Sequence, residues 1–88
     1  MPFCKVSVDV FCEKGHPSYR LFVNEELFTE RQFLYEESFL REHLQIEGPP
    51  GMYQIRLEKL GKGKLFLRNT RAEIGDIKLI DTQTFKLL

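Results

Sequence analysis

The chain has 88 residues, with 13 basic against 13 acidic side chains, 42% hydrophobic and 30% charged residues. That length supports one core and one domain, 1–88, the ordinary composition excludes a disordered or fibrous chain, and the balanced charge lacks the clustered positive field that nucleic-acid binding uses. No apolar run approaches the roughly 18 residues of a membrane-spanning helix, and the opening "MPFCKVSVDVFC" lacks the basic-then-apolar layout of a signal peptide, so the expectation is a cytoplasmic chain with no membrane partner.

The first element is a strand, read from the alternation in "KVSVDVFC". Cys4 and Cys12 share parity with Val6, Val8 and Val10, so all five should face the core. Eight residues of strand separate the two cysteines by roughly 26 Å, far beyond the ~7 Å that a disulfide spans between Cα atoms. Both thiols are therefore expected reduced and buried. Zinc would require more Cys and His at tight spacing than Cys4, Cys12, His16 and His43 supply.

"KGHP" at 14–17 marks a turn, and the segment after it is ambiguous. "SYRLFVNEELFTERQF" fits two strands around an asparagine-containing turn. A helix over 25–46 is the alternative: Asn24 could cap it, and Leu27, Phe28, Leu34, Tyr35 and Phe39 nearly share a stripe. Phe33, Leu40 and Leu44 fall off that stripe, which favours strands with a loop or crossing segment near 34–38. Leu40, Leu44 and Ile46 then oppose Arg41, His43 and Gln45. With a two-residue hairpin loop Phe22 opposes Leu27, and with a three-residue loop it opposes Phe28, so both faces bear apolar side chains. The face around Phe22 needs a cover, supplied either by the segment 34–39 or by a second molecule.

"EGPPG" at 47–51 introduces "MYQIRLEKL", with Tyr53, Ile55 and Leu57 on one face and Gln54, Arg56 and Glu58 on the other. "GKGK" at 61–64 suits a hairpin tip, and "KLFLRNT", "DIKLIDT" and "TFKLL" are short strand-length runs. Turn signals at this rate predict an all-β fold, a small antiparallel, jelly-roll-like sandwich.

Catalytic chemistry is hard to assemble. His16 falls in a turn and His43 on a polar strand face, no nucleophile motif surrounds Ser7, Ser18 or Ser38, and "GKGK" lacks phosphate-loop spacing. The expectation is no enzyme. Outward strand positions instead carry Arg20, Phe22, Arg41, His43, Gln45, Arg56, Phe66 and Arg68, groups that stack on a sugar or planar face and donate hydrogen bonds. The same arginines could form charge ladders with Glu30, Glu42 and Glu58.

The succession "YRLFVNEELFTERQF", "REHLQI", "PPGMYQIRLEKLG" and "FLRNTRAEIGDIKLID" resembles the layout of small calcium-dependent xylan-binding modules, over about 70 residues and mostly in turn chemistry. It is also similar to small uncharacterised proteins of tailed phages that infect cyanobacteria, which would place the chain in host cytoplasm or virion. The resemblance implies a β-sandwich that binds glycans without catalysis. It also implies Ca²⁺, with Asn69 and Asp76 as candidate ligands, although two donors fall well short of the six to eight oxygens calcium takes; the chain by itself calls for no cofactor. Two functions follow as expectations. One is a glycan-recognition module, and the other a self-associating structural or regulatory protein that docks on a protein partner, or forms a homo-oligomer, through an apolar strand face.

Overall fold

The computed structural model describes residues 3–88. Within them lie eight strands: β1 (Phe3–Gly15), β2 (Ser18–Val23), β3 (Glu26–Gln32), β4 (Ser38–Glu47), β5 (Gly51–Leu60), β6 (Gly63–Ile74), β7 (Ile77–Leu79) and β8 (Thr84–Leu87). They form two antiparallel sheets, a small one in the order β4-β1-β6 and a large one in the order β3-β2-β5-β8-β7. Residues 25–46 are strand, turn and loop, so the helical alternative is overturned. A helix there would have exposed apolar side chains on several sides. The strands instead direct Tyr19, Leu21 and Val23, with Leu44 and Ile46, into one core.

The chain changes sheet after β1, β3, β4, β5 and β6. Short loops therefore act as corners rather than hairpin tips. This corrects the expectation for "GKGK", which joins β5 in the large sheet to β6 in the small one. Residues 33–37 cross from β3 to β4, as the break in apolar parity suggested.

β1 is the central strand of the small sheet, and Cys4, Val6, Val8, Val10 and Cys12 are all fully buried against the large sheet. The period of two places them on one face. Both cysteines are free thiols, and burial raises the pKa of each, which keeps them protonated and unreactive. Across the core lie Tyr19, Leu21, Ile55, Phe85 and Leu87 of the large sheet, with Tyr53 stacked 5.5 Å from Phe85.

The β2–β3 hairpin turns on Asn24 and Glu25, both at positive φ (47° and 71°), as a two-residue turn of the primed type requires. Phe22 opposes Leu27, as the two-residue loop predicts, but the register then slips, and Leu21 meets Thr29 instead of Phe28. Alternation already turns Phe28 to the core and Leu27 outward; the bulge shifts the residues after them, setting Arg31 rather than Glu30 opposite Tyr19. Glu42 corrects the sequence reading in the opposite sense. It points inward, between the sheets, where the Tyr19 hydroxyl donates to it at 2.6 Å and Arg31 of β3 forms an ion pair with it.

This polar bridge joins β4 of one sheet to β2 and β3 of the other. Burial first, then the adjoining Glu42 carboxylate, pushes the Tyr19 phenol far above its ordinary pKa, so it stays a donor. Tyr19→Phe leaves the carboxylate short of one bond and is expected to cost about 1–3 kcal/mol. Chemical denaturation should show a lower midpoint with unchanged slope; an unchanged midpoint would remove the bridge from the account of sheet packing.

Candidate functional site

The eight outward residues divide between two opposite surfaces. Arg20, Phe22 and Arg56 lie on the outer face of the large sheet; Arg41, His43, Gln45, Phe66 and Arg68 lie on strands β4 and β6 of the small one.

On the large sheet the arginines are committed to carboxylates. Arg20 pairs with Glu30 and, at 3.3 Å, with Glu58; Arg56 pairs with Glu58 at 3.4 Å and Glu25 at 3.2 Å. The ladder crosses β3, β2 and β5 because the register sets Arg20 opposite both Glu30 and Glu58. Phe22 is covered by neither of the expected means: the Arg56 guanidinium lies 4.2 Å above its ring. That surface is a self-satisfied charge ladder, with Leu27 left exposed at its edge.

The outer face of the small sheet is organised differently. Its first row, Phe39–Phe11–Phe66, runs across β4, β1 and β6 because Phe11 is paired with Phe39 on one side and Phe66 on the other. Phe11 and Phe66 rings lie 5.1 Å apart, and Phe39 and Phe66 remain 47% and 38% exposed. The second row is Arg41–Asp9–Arg68. Asp9 is buried although it faces outward, because Arg41 donates to it at 3.1 Å, Asn69 at 3.2 Å, and Arg71 lies 3.5 Å away. Burial pulls its pKa up, but the Arg41 and Asn69 hydrogen bonds and the two guanidinium charges outweigh it and hold the carboxyl below its usual range.

The Asn69 contact depends on a bulge. Asp9 opposes Arg68 and Ser7 opposes Arg71, so two residues of β6 face Val8 alone, and Asn69 takes φ 55° with its amide turned to Asp9. Asparagine tolerates that region better than most residues. Asn69 is thus a structural donor to Asp9, while Asp76 lies in the β6–β7 turn, roughly 20 Å along the strand. The structure does not bring the two candidate calcium ligands together. Among the described residues no group of three or more His, Cys, Asp or Glu side chains is placed to hold a metal.

Arg68 completes the face. Its guanidinium carbon lies 4.2 Å above Phe11 and 5.9 Å from Phe39, it forms no ion pair among the described residues, and its Nε is buried without a hydrogen-bond partner. The other arginines of the chain each have a carboxylate. Arg68 alone offers an unmatched guanidinium, set over the Phe11 ring and flanked by Arg41 and Arg71.

Below this row Ser7, His43 and Glu73 share the surface, but the Ser7 hydroxyl donates to Glu73 at 2.7 Å, and Ser7 is fully buried. That hydrogen bond chiefly accounts for the lowered Glu73 pKa. No hydrogen bond links His43 to Ser7, so the trio is not arranged as nucleophile and base. Gln45 lies at the far end of the sheet, lining an open concavity of about 370 Å³ with Glu26, Glu47 and Tyr53. It is remote from the aromatic row.

Sequence reasoning missed Phe11, Asp9, Phe39 and Arg71. The β1 alternation carried the signal: once Cys4 to Cys12 are assigned inward, Asp9 and Phe11 must face out. Phe39 and Arg71 join them only through long-range pairing. Among the described residues no helix is long and apolar enough to cross a membrane. Compared with known proteins, the chain matches no family model, no curated protein and no solved structure.

Proposed function

We propose that the protein is a non-catalytic recognition module that binds a glycan on the outer face of its small sheet. The supporting observation is the Phe39–Phe11–Phe66 row, its outer rings exposed and Arg68 placed 4.2 Å over the middle one. Aromatic faces take the apolar faces of sugar rings, and guanidinium groups donate to hydroxyls around them. The resemblance of the turn pattern to that of xylan-binding modules points to the same ligand class. The large sheet lacks such a row, since Phe22 is its single outward phenylalanine and both arginines beside it are paired with carboxylates.

The test is a glycan panel followed by calorimetry on a positive. Phe66→Ala and Phe39→Ala should each weaken binding between about twofold and tenfold, the range expected for loss of one stacking contact. Phe22→Ala on the opposite face should leave it unchanged. Loss of affinity in the Phe22 variant alone would move the site to the other sheet; absence of any glycan ligand would end this reading.

Self-association is the second reading, and the feature that favours it is β4, an edge strand of ten residues next to the exposed side chains of Leu34 and Tyr35. Unpaired edges are templates for pairing with another chain. Light scattering at high concentration should then give twice the chain mass; a monomer throughout removes it.

A further inference from the structure

We infer that the small-sheet face selects an acidic glycan, and that Arg68, over Phe11, receives the carboxylate of a uronate residue whose ring packs against an exposed neighbour in the row, Phe39 or Phe66. This rests on the glycan reading above and adds the charge of the ligand.

Three observations carry it. First, Arg68 has no counter-ion among the described residues, whereas Arg20 and Arg56 on the opposite sheet each hold two carboxylates. Arginine in a partly desolvated position ordinarily finds an anion. Second, the local anion is already saturated. Both Asp9 oxygens are already engaged, one by Arg41 and the other by Asn69 with Arg71 nearby, and Arg68, its register neighbour on β6, makes no hydrogen bond or ion pair to it. Third, Arg68 Nε is the one buried side-chain polar atom without a partner among the described residues. A buried donor left unmade is unfavourable for the free protein. A small rotation of the guanidinium about its bond to the chain, over the Phe11 ring, would turn Nε and one terminal nitrogen toward an incoming carboxylate, and the planar fork matches two carboxylate oxygens side-on.

The geometry also sets where the sugar ring must go. Arg68 sits over Phe11 and toward Phe39, so a carboxylate at its outer edge places the attached ring along the aromatic row. There it meets the exposed parts of Phe39 and Phe66. Neutral sugars would use the same aromatic contacts and could only offer hydroxyls to Arg68, without the charge-assisted pair a carboxylate makes. Selectivity for the acid therefore resides in one side chain, and affinity is shared with the phenylalanines.

The experiment uses hexamers of galacturonan, mannuronan and glucuronate-branched xylan, each beside its carboxyl-reduced counterpart, titrated into the full chain at 50 mM and 300 mM salt. At least one acidic hexamer should bind about tenfold to hundredfold more tightly than its reduced form, with the difference shrinking at the higher salt. Arg68→Gln should erase that difference while retaining the residual affinity for the reduced form. The variant should melt within a few degrees of the wild type, because the lost side chain carries an unsatisfied donor. Equal binding of acidic and reduced forms, or an unchanged preference in Arg68→Gln, overturns the inference and leaves a neutral-glycan module standing. Failure of all three acidic hexamers overturns it too, and the glycan function then stands or falls on the neutral members of the wider panel.

Discussion

Gly63→Val is expected to lower the melting temperature by roughly 15–30 °C. Gly63 starts β6 at φ +145°, and a Cβ there would lie 2.5 Å from the Lys14 carbonyl oxygen and 2.9 Å from the Pro17 ring. Both neighbours are held in place, one by backbone and the other by a ring. Backbone strain of about 1–3 kcal/mol adds to a steric overlap that only separation of β1 from β6 relieves, giving a loss of about 4 kcal/mol or more. That is a large share of the roughly 5–15 kcal/mol of a small domain, and each kcal/mol moves the melting point of a chain this size by about 4–8 °C.

Gly61, two residues earlier, provides the control. It also has positive φ, at +89°, but nothing lies within 4 Å of its would-be Cβ. Gly61→Val should therefore show the strain alone, about 1–3 kcal/mol. Thermal unfolding followed by circular dichroism separates the two. Similar melting points for both variants would mean that the β1 and β6 ends do not approach as closely as the structure has them.

Asp9→Asn should be the most damaging substitution on the small-sheet face, and its effect should depend on pH. The carboxylate accepts from Arg41 and Asn69 and lies against Arg71 while almost wholly buried. An asparagine loses the charge and one acceptor. The guanidinium groups are themselves nearly half exposed and can turn to water, which reduces the cost below that of a fully buried pair. A loss of about 2–3 kcal/mol at pH 7 is expected.

The sign of the pH effect follows from the depressed folded-state pKa of Asp9. Its stabilisation is fully present above the unfolded value of about 3.9 and is lost as pH falls through the lower folded value. Wild type and Asp9→Asn should therefore differ by a constant amount from pH 7 to about pH 5 and converge below about pH 4. Melting curves at pH 7, 4 and 2.5 check this. A gap of the same size at all three would show that Asp9 acts through shape, not charge.

The period-two pattern was enough to place β1, β4 and β5. Cys4 through Cys12, Leu44 and Ile46, and Ile55 all face inward as their alternation requires, because a half-buried strand sorts its own side chains by polarity. The Asn24 turn was legible for the same local reason: few residues adopt positive φ. Where pattern and geometry parted, a long-range partner intervened. Glu42 shares the inward parity of Leu40, Leu44 and Ile46, yet its charge marks it as an outward ladder partner until β2 and β3 bring Tyr19 and Arg31 to meet it across the core. The bulge at Phe28 and the corner at Gly61–Gly63 depend in the same way on strands distant in the chain.

The candidate site was half visible. Phe66, Arg68 and Arg41 were chosen as outward residues, but so were Arg20, Phe22 and Arg56, and no property of the residues themselves separates the two sets. Which arginine is neutralised is decided by register: Arg20 sits between Glu30 and Glu58, whereas Arg68 sits beside an Asp9 already held by Arg41, Asn69 and Arg71.

By itself, then, the sequence determined an all-β chain, the inward face of its main strands, its paired turns and its buried thiols, since each follows from backbone preference and burial within a few residues. Only the tertiary structure decided which strands share a sheet, which charges cancel and that three phenylalanines from β4, β1 and β6 form one row. Those outcomes depend on pairing between segments up to some seventy residues apart, as Lys5 with Ile74, and hydrogen-bonded backbone leaves no mark in a side-chain pattern to say which partner it will take.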